Sequence, residues 1–132
     1  MFEQDWLMRQ IEAMTLGIAR AIFRKESVTY PLFEDNYDLN GEATGADLLY
    51  LRLRGMIVEG KLNEAEDELF REFQPGEERY LALATDFYAA LNNLSDQELA
   101  AGNFSREEIS EGLHDIMELA GVEWGEAFPE SN

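Results

Sequence analysis

The sequence predicts an all-α protein of about six helices in a single domain (residues 1–132), and three observations predict it. Apolar residues recur at three- and four-residue spacing through most of the chain, the pattern of helices with one buried face. Serine or threonine N-caps followed three residues later by an acid mark helix starts at Thr44, Ser95 and Ser105. A length of 132 residues suits one domain, and 45% hydrophobic and 11% aromatic residues argue against disorder.

The N-terminal segment, residues 1–25, is predicted to form one long helix. Its buried side is indicated by apolar residues at helical spacing: Leu7, Ile11, Met14, Ile18 and Ile22. We expect this helix to pack on its own chain, because most helical stability comes from such packing. Packing on another copy, and with it a homodimer, stays open at this stage.

Residues 26–43 form the longest stretch without helical periodicity. Together with the start of the next helix they contain a pattern that resembles an EF-hand calcium loop, with Gly41 at its sixth position. Calcium needs several oxygen ligands from a tightly turned chain, and glycine permits the turn. The candidate ligands are Asn36, Asp38, Asn40, Glu42, Thr44 and Asp47. The alternative is an Asn-Gly turn followed by a helix cap, in which Asp47 serves the cap.

A helical hairpin is predicted over residues 44–73. Thr44 is a suitable N-cap, and the helix that follows is apolar on nearly all sides, which predicts a buried helix. Gly60 breaks the pattern, because a left-handed turn is least costly at glycine. Asn63 is the predicted cap of the second helix, and Pro75 ends it. The short connection requires the two helices to run antiparallel.

The turn of this hairpin resembles a known repeat. Gly60-Lys61-Leu62-Asn63-Glu64-Ala65, with Leu69 four residues later, is similar to the middle of a tetratricopeptide repeat (TPR), in which a turn glycine and a small alanine let two helices pack closely. The resemblance covers about one repeat of 34 residues. It implies one TPR-like hairpin, not an array of repeats.

Residues 77–121 are predicted to hold three more helices. The first runs from about Glu77 to Asn93, and two capping boxes then start a short helix at Ser95 and a longer one at Ser105. Gly121 is the expected C-cap of the last helix. The tail, residues 122–132, carries two aromatic side chains that we expect to fold back on the body; if they do not, they mark a docking peptide.

Charge and cysteine content exclude several classes of function. The formal net charge is −18, which argues against nucleic-acid binding, because an acidic surface repels phosphates. The chain has no cysteine, which excludes disulfides and thiolate metal sites and fits a reducing compartment. The first residues are acidic where an export signal needs basic ones, so we expect a cytoplasmic protein without membrane association.

No catalytic constellation is evident in the sequence, and no cofactor is expected. His114 is the single histidine, and with Glu111 it forms Glu-x-x-His, the spacing that di-iron helical bundles use. Such a centre needs two of these motifs, so only a dimer would complete it. An exposed histidine on a helix face is the simpler interpretation.

Three stretches spread over the chain carry a wider resemblance. MFEQDWLMRQI at the start, GKLNEAEDELF in the hairpin and FSREEISEGLHDI near the end are similar to a family of small, uncharacterised bacterial proteins that are predicted to be helical. The resemblance implies a bacterial cytosolic protein. It brings no activity and no site residues.

Fold and composition together favour a non-enzymatic interaction or adaptor module with an unidentified protein partner. One alternative is a calcium-responsive protein that uses the 36–47 loop. A second alternative is a carboxylate and histidine metalloenzyme at a dimer interface containing Glu111 and His114.

Overall fold

Six α-helices make up the described part of the chain, which confirms the predicted class. The computed structural model describes residues 2–31 and 44–122, and no β-strand occurs in those ranges. None of the helices there is long and apolar enough to cross a membrane. The helices are Phe2–Ile18 (α1), Gly45–Val58 (α2), Leu62–Glu72 (α3), Glu78–Asn92 (α4), Asp96–Ala101 (α5) and Arg106–Ala120 (α6).

The N-terminal helix packs on its own chain, as expected. Residues of α1 pack against α4 and α6, and Ile11 and Ile18 are completely buried there. The helix continues as a π-helix over Ala19–Phe23 and stops at Arg24, whose backbone is left-handed (φ 56°). The amides of Arg24 and Lys25 both donate to the carbonyl of Ala19. The helix therefore ends close to the predicted position, but its last turn is π-helical.

The predicted hairpin is formed by α2 and α3, which pack against each other. Thr44 caps α2 through a capping box with Asp47, and Gly60 adopts the expected left-handed conformation (φ 78°) in the turn. The prediction that Asn63 caps α3 is wrong, because α3 begins at Leu62. The Asn63 side chain instead donates to the carbonyl of Asn103 (3.0 Å), across to the α5–α6 turn. Only the tertiary fold brings that carbonyl within reach.

Helix α4 lies at the centre of the fold. Ten of its 15 residues are buried, and α1, α2 and α6 each pack against it. Its Phe87 and Tyr88 rings meet edge to face, with centroids 5.0 Å apart. Tyr88 also donates from its hydroxyl to Glu66 Oε2 (2.6 Å), which joins α4 to α3. The other elements are thus arranged around a helix that exposes little of itself.

The helices that follow α4 begin and end as the sequence predicts. Ser95 and Ser105 each accept a hydrogen bond from the backbone three residues on and form complete capping boxes. Gly121 ends α6 in a left-handed conformation (φ 75°). The inner side of α6 buries four apolar residues, Ile109, Leu113, Ile116 and Met117.

Arg106, in the first turn of α6, is buried against the end of α4. Only 3% of its surface is exposed. Its Nη1 donates to the carbonyl and to the side-chain oxygen of Asn92 (2.8 and 2.9 Å), and its Nη2 donates to the carbonyl of Leu94 (2.8 Å) and to Asp96 (3.1 Å). Carbonyls at the end of a helix have no partner within it. Arg106 therefore closes the C-terminus of α4 and fixes the start of α6 to it.

Replacing Arg106 should destabilise the fold strongly. In Arg106→Met, the buried oxygens of Asn92 and Leu94 lose their donors, and we expect a loss of about 3 kcal/mol in the free energy of unfolding by urea. The control is Arg71→Met, since Arg71 is exposed and pairs with Glu68 on the surface. We expect it to cost less than about 1 kcal/mol. Equal losses in the two variants would contradict the role of Arg106.

Gly112 marks the closest approach between α6 and its neighbours. A Cβ at this position would lie 2.3 Å from Tyr88 Oη and 2.4 Å from Glu66 Oε2. The Tyr88 ring is fully buried, so it cannot move aside. At Gly55 in α2, by contrast, nothing lies within 4 Å of such an atom.

Gly112→Ala should therefore be less stable than Gly55→Ala, although both replace a helical glycine with the same residue. The gain in helix propensity is common to both, so the difference reports the clash alone. We expect Gly112→Ala to be about 1–3 kcal/mol less stable in urea unfolding of dilute protein. Equal stabilities would mean that Tyr88 of α4 and Glu66 of α3 do not crowd Gly112.

Candidate functional site

Two of the six candidate calcium ligands, Thr44 and Asp47, lie in the described part of the chain; Asn36, Asp38, Asn40 and Glu42 lie outside it. Asp47 is completely buried. Its Oδ2 accepts from the amide of Thr44 (3.2 Å), and its Oδ1 accepts from the hydroxyl of Tyr30 (2.8 Å). Both carboxylate oxygens thus bind protein groups, in the arrangement of the alternative helix-cap interpretation. Calcium binding by the 36–47 loop stays a prediction.

Asp47 belongs to a polar group that we call the Asp47–Asp86 cluster (Tyr30, Asp47, Tyr50, Arg54 and Asp86), in which Tyr30, Asp47 and Asp86 are buried and Arg54 is exposed. The amide of Tyr30 donates to Asp86 Oδ2 (2.6 Å), and Arg54 Nη1 lies 3.6 Å from Asp86 Oδ1. The rings of Tyr30 and Tyr50 stack with centroids 4.9 Å apart. The cluster ties the segment before residue 32 to both α2 and α4.

Burial is the largest influence on the protonation of Tyr30 and Asp86 in this cluster. Burial, together with the hydrogen bond to Asp47, raises the pKa of Tyr30 to about 12. Burial also raises the pKa of Asp86, against the opposing effects of the Tyr30 amide and Arg54. A general base at neutral pH needs a pKa near 7 and an open path to substrate. Tyr30 and Asp86 are both buried, and the Tyr30 pKa lies far above that range.

The sequence analysis missed Asp86, although a signal was present. It is an acid within the otherwise apolar stretch of α4, and a buried acid in such a stretch needs a partner. Its partners come from α2 and from the segment before residue 32, and the sequence does not place them beside it.

Glu111 and His114, the residues of the Glu-x-x-His motif, are exposed on α6. The imidazole Nδ1 of His114 lies 2.8 Å from the carbonyl of Ser110. Within residues 2–31 and 44–122, no three histidine, aspartate or glutamate side chains converge on a point that would hold a metal ion. The metal centre at a dimer interface stays a prediction.

The outward side of α2 shows a feature that the sequence analysis predicted wrongly. Leu48 is 51% exposed, Leu51 45% and Val58 87%, so α2 is not a buried helix. It packs on α3 and α4 with one side, where Leu49 and Leu53 are buried. Among the residues that the structure describes, none covers the apolar side chains on its other side. We call this side the outer α2 face (Leu48, Leu51, Gly55 and Val58).

The outer α2 face is also less acidic than the rest of the protein. α2 contains Arg52 and Arg54 but only one acid, the buried Asp47, so its formal charge is positive in a chain of −18. Arg52 lies beside the face and donates to Glu68 of α3 (2.8 Å). Arg71 and Arg52 together hold the pKa of Glu68 below its usual value.

A groove of about 290 Å³ opens at the Val58 end of this face. It lies where the α2–α3 turn approaches α5. Its lining is mixed: the acids Glu59 and Glu98 line it together with the apolar residues Ile57, Val58, Leu62, Leu94 and Ala101. The outer α2 face therefore combines a flat part around Gly55 with a recess at one end.

A family of unknown function, DUF6483, matches residues 1–121. The chain belongs to this family. No curated protein and no solved structure matches it. The DUF6483 match covers all six helices, so the Asp47–Asp86 cluster and the outer α2 face both lie within the matched residues of this chain.

In this DUF6483 protein, Glu66 of α3 is hydrogen-bonded to Tyr88 of α4 and lies near the acids Glu108 and Asp115 of α6. Burial raises the pKa of Glu66; the hydroxyl of Tyr88 opposes the rise, and Glu108, Asp67 and Asp115 add to it. The folded protein thus binds a proton at Glu66 more tightly than the unfolded chain does. The charged form therefore disfavours folding, and this penalty disappears as the pH falls through the folded pKa toward 4.5.

Glu66→Gln should consequently be more stable than the wild type at pH 7, and the difference should shrink toward pH 4. Glutamine resembles the protonated acid and can still accept from Tyr88. Urea unfolding at several pH values measures the difference. Glu111→Gln, at an exposed position of α6, is the control and should show no such trend. A Glu66→Gln variant that is less stable at pH 7 would contradict the argument.

Proposed function

We propose that this protein is a non-enzymatic protein-interaction module, an adaptor, whose outer α2 face is the binding surface. The observation that carries the proposal is the exposure of three large apolar side chains on one side of one helix. Leu48, Leu51, Gly55 and Val58 follow one another at three, four and three residues, the spacing of a single helix face.

Grouping distinguishes this face from ordinary exposed apolar residues. Single exposed hydrophobic side chains are common in proteins and need no explanation. Trp6 on α1 and Leu119 on α6 are of that kind, since each is the one large exposed apolar residue of its helix among the described side chains. A contiguous apolar surface marks an interaction site. The outer α2 face is such a surface.

Gly55 adds a second reason. A glycine in the middle of a helix costs about 1 kcal/mol relative to alanine. No atom within 4 Å of its missing Cβ requires glycine in the protein as described. A partner whose backbone packs closely on α2 would require it, because the absent side chain brings the two main chains together.

The resemblance of the α2–α3 turn to a TPR supports the same proposal. TPR-like hairpins present helix faces to peptides or partner helices. An amphipathic helix of a cytosolic bacterial protein is therefore the proposed class of ligand, recognised through apolar anchors at three- and four-residue spacing. The burial of Tyr30, Asp47 and Asp86 away from solvent supports a role without catalysis.

A charge placed on the outer α2 face should abolish capture of the partner. We expect tagged wild-type protein to enrich a partner from native bacterial lysate, equally with calcium and with chelator. Leu48→Glu should weaken binding of that partner at least tenfold, about 1.4 kcal/mol, because the new carboxylate would be buried without a counter-ion. Binding of the purified partner is measured by calorimetry.

Leu119→Glu is the matched control, since Leu119 has the same 51% exposure on a different helix. It should bind like the wild type, and both variants should melt within a few degrees of it. Equal binding by Leu48→Glu and the wild type would contradict the proposed surface. Enrichment with calcium only would favour the 36–47 loop instead.

A further inference from the structure

We infer that the outer α2 face binds a second copy of the same chain, with the two α2 helices antiparallel about a two-fold axis. The inference rests on the proposed function, because it names the partner of that same face. Three features of the face carry it: the order of its residues, its charge, and the groove at its end.

The order of residues on the face is self-complementary. Leu48 lies five residues before position 53, and Val58 lies five residues after it. Leu51 lies two residues before the same position, and Gly55 lies two residues after it. A two-fold axis at the level of position 53 therefore places Leu51 of each copy beside Gly55 of the other. It also places Leu48 beside Val58. Each contact occurs twice, once on each side of the axis, as an isologous contact requires.

Gly55 sets the distance at which two such helices can meet. Packed helices lie about 8–10 Å apart, and small residues at the contact allow the shorter distance. An added Cβ at Gly55 would find open space in one chain. In the antiparallel pair, that space receives Leu51 of the second copy. The dimer thus explains a glycine that the single chain does not.

Charge favours this face over the acidic helices α3 and α6 for self-association. Two chains of −18 repel each other, and α3 and α6 carry many of the acids. A contact through α2 brings the two copies together at a helix whose formal charge is positive. Arg52 of each copy comes close to the axis, but each is already paired with its own Glu68 at 2.8 Å. The two pairs lie side by side, and no unpaired cation is buried.

The groove beside Val58 completes the contact. Leu48 of the second copy arrives at the level of Val58, which lines the 290 Å³ groove together with apolar neighbours and the acids Glu59 and Glu98. One such insertion occurs at each end of the pair. A contact built mainly from one helix per chain falls at the small end of interface sizes, so the dimer should form and dissociate with concentration.

Analytical ultracentrifugation of purified full-length protein tests the dimer. The wild-type mass should rise from 15.1 kDa toward twice that value as the concentration increases. Gly55→Leu should remain a monomer over the same range and melt at or above the wild-type temperature, because leucine favours helix and meets no atom in the single chain. This pairing of lost association with retained stability separates an interface effect from misfolding. Leu119→Glu, the control, should still dimerise.

Cysteine cross-linking tests the relative orientation of the two α2 helices. The natural sequence has no cysteine, so no other disulfide competes. Leu48→Cys and Val58→Cys are purified separately, mixed and oxidised. In the antiparallel pair the mixed disulfide should predominate. When both copies carry the same variant, their two cysteines lie about 15 Å apart along the helix axis, ten residues at 1.5 Å each. That distance is too long for a disulfide between identical variants, a self-disulfide. Predominant self-disulfides would indicate parallel helices and overturn the inference.

The outcomes separate this inference from the proposed function. A wild-type protein that stays monomeric at about 1 mM, where a Kd of that size would be visible, overturns the dimer. The proposed function still stands in that case if the wild type captures a different protein and Leu48→Glu does not. A dimer that persists in both Gly55→Leu and Leu48→Glu overturns the inference, because the contact then lies elsewhere.

Discussion

Burial of α4 is the constraint on which the arrangement of the other helices depends. A helix that hides ten of 15 residues must be covered on several sides, and α1, α2 and α6 supply that cover. Covering α4 occupies only one side of α2, and α3 adds to the same side. The apolar residues on the opposite side are thus surplus to the core of one chain. Their exposure is a consequence of how the core is divided among the helices, and it leaves an apolar side of α2 open to solvent.

Polar groups at the C-terminal end and in the middle of α4 fix how its neighbours are placed. Near the end of the helix, Arg106 binds the carbonyls of Asn92 and Leu94, which no helical amide reaches. Toward its middle, Asp86 binds the amide of Tyr30 and lies near Arg54. Apolar contacts are non-directional and tolerate small shifts, whereas these hydrogen bonds do not. The buried polar residues therefore select one arrangement among the packings that the apolar surfaces allow.

Local signals in the sequence predicted much of the fold, whereas contacts between distant segments were out of reach. The capping boxes at Ser95 and Ser105 and the left-handed Gly60 depend on residues within one turn, and the structure confirms them. Arg106 and Asp86 depend on partners from other segments, so their roles were not predictable. The burial of α2 was predicted wrongly for a related reason. Periodicity shows how many sides of a helix are apolar, but it does not show how many the core of one chain covers.

The contacts of Tyr30 also bear on how the length of this protein can vary. Its amide is held by α4 through Asp86, and its hydroxyl is held by the first turn of α2 through Asp47. Residues 32–43 thus connect two points that are already tied to each other by other means. Each doubling in the length of such a connection costs only about 0.6 kcal/mol in chain entropy. Insertions between Pro31 and Thr44 should accordingly cost this protein little stability, because the helical body stays the same.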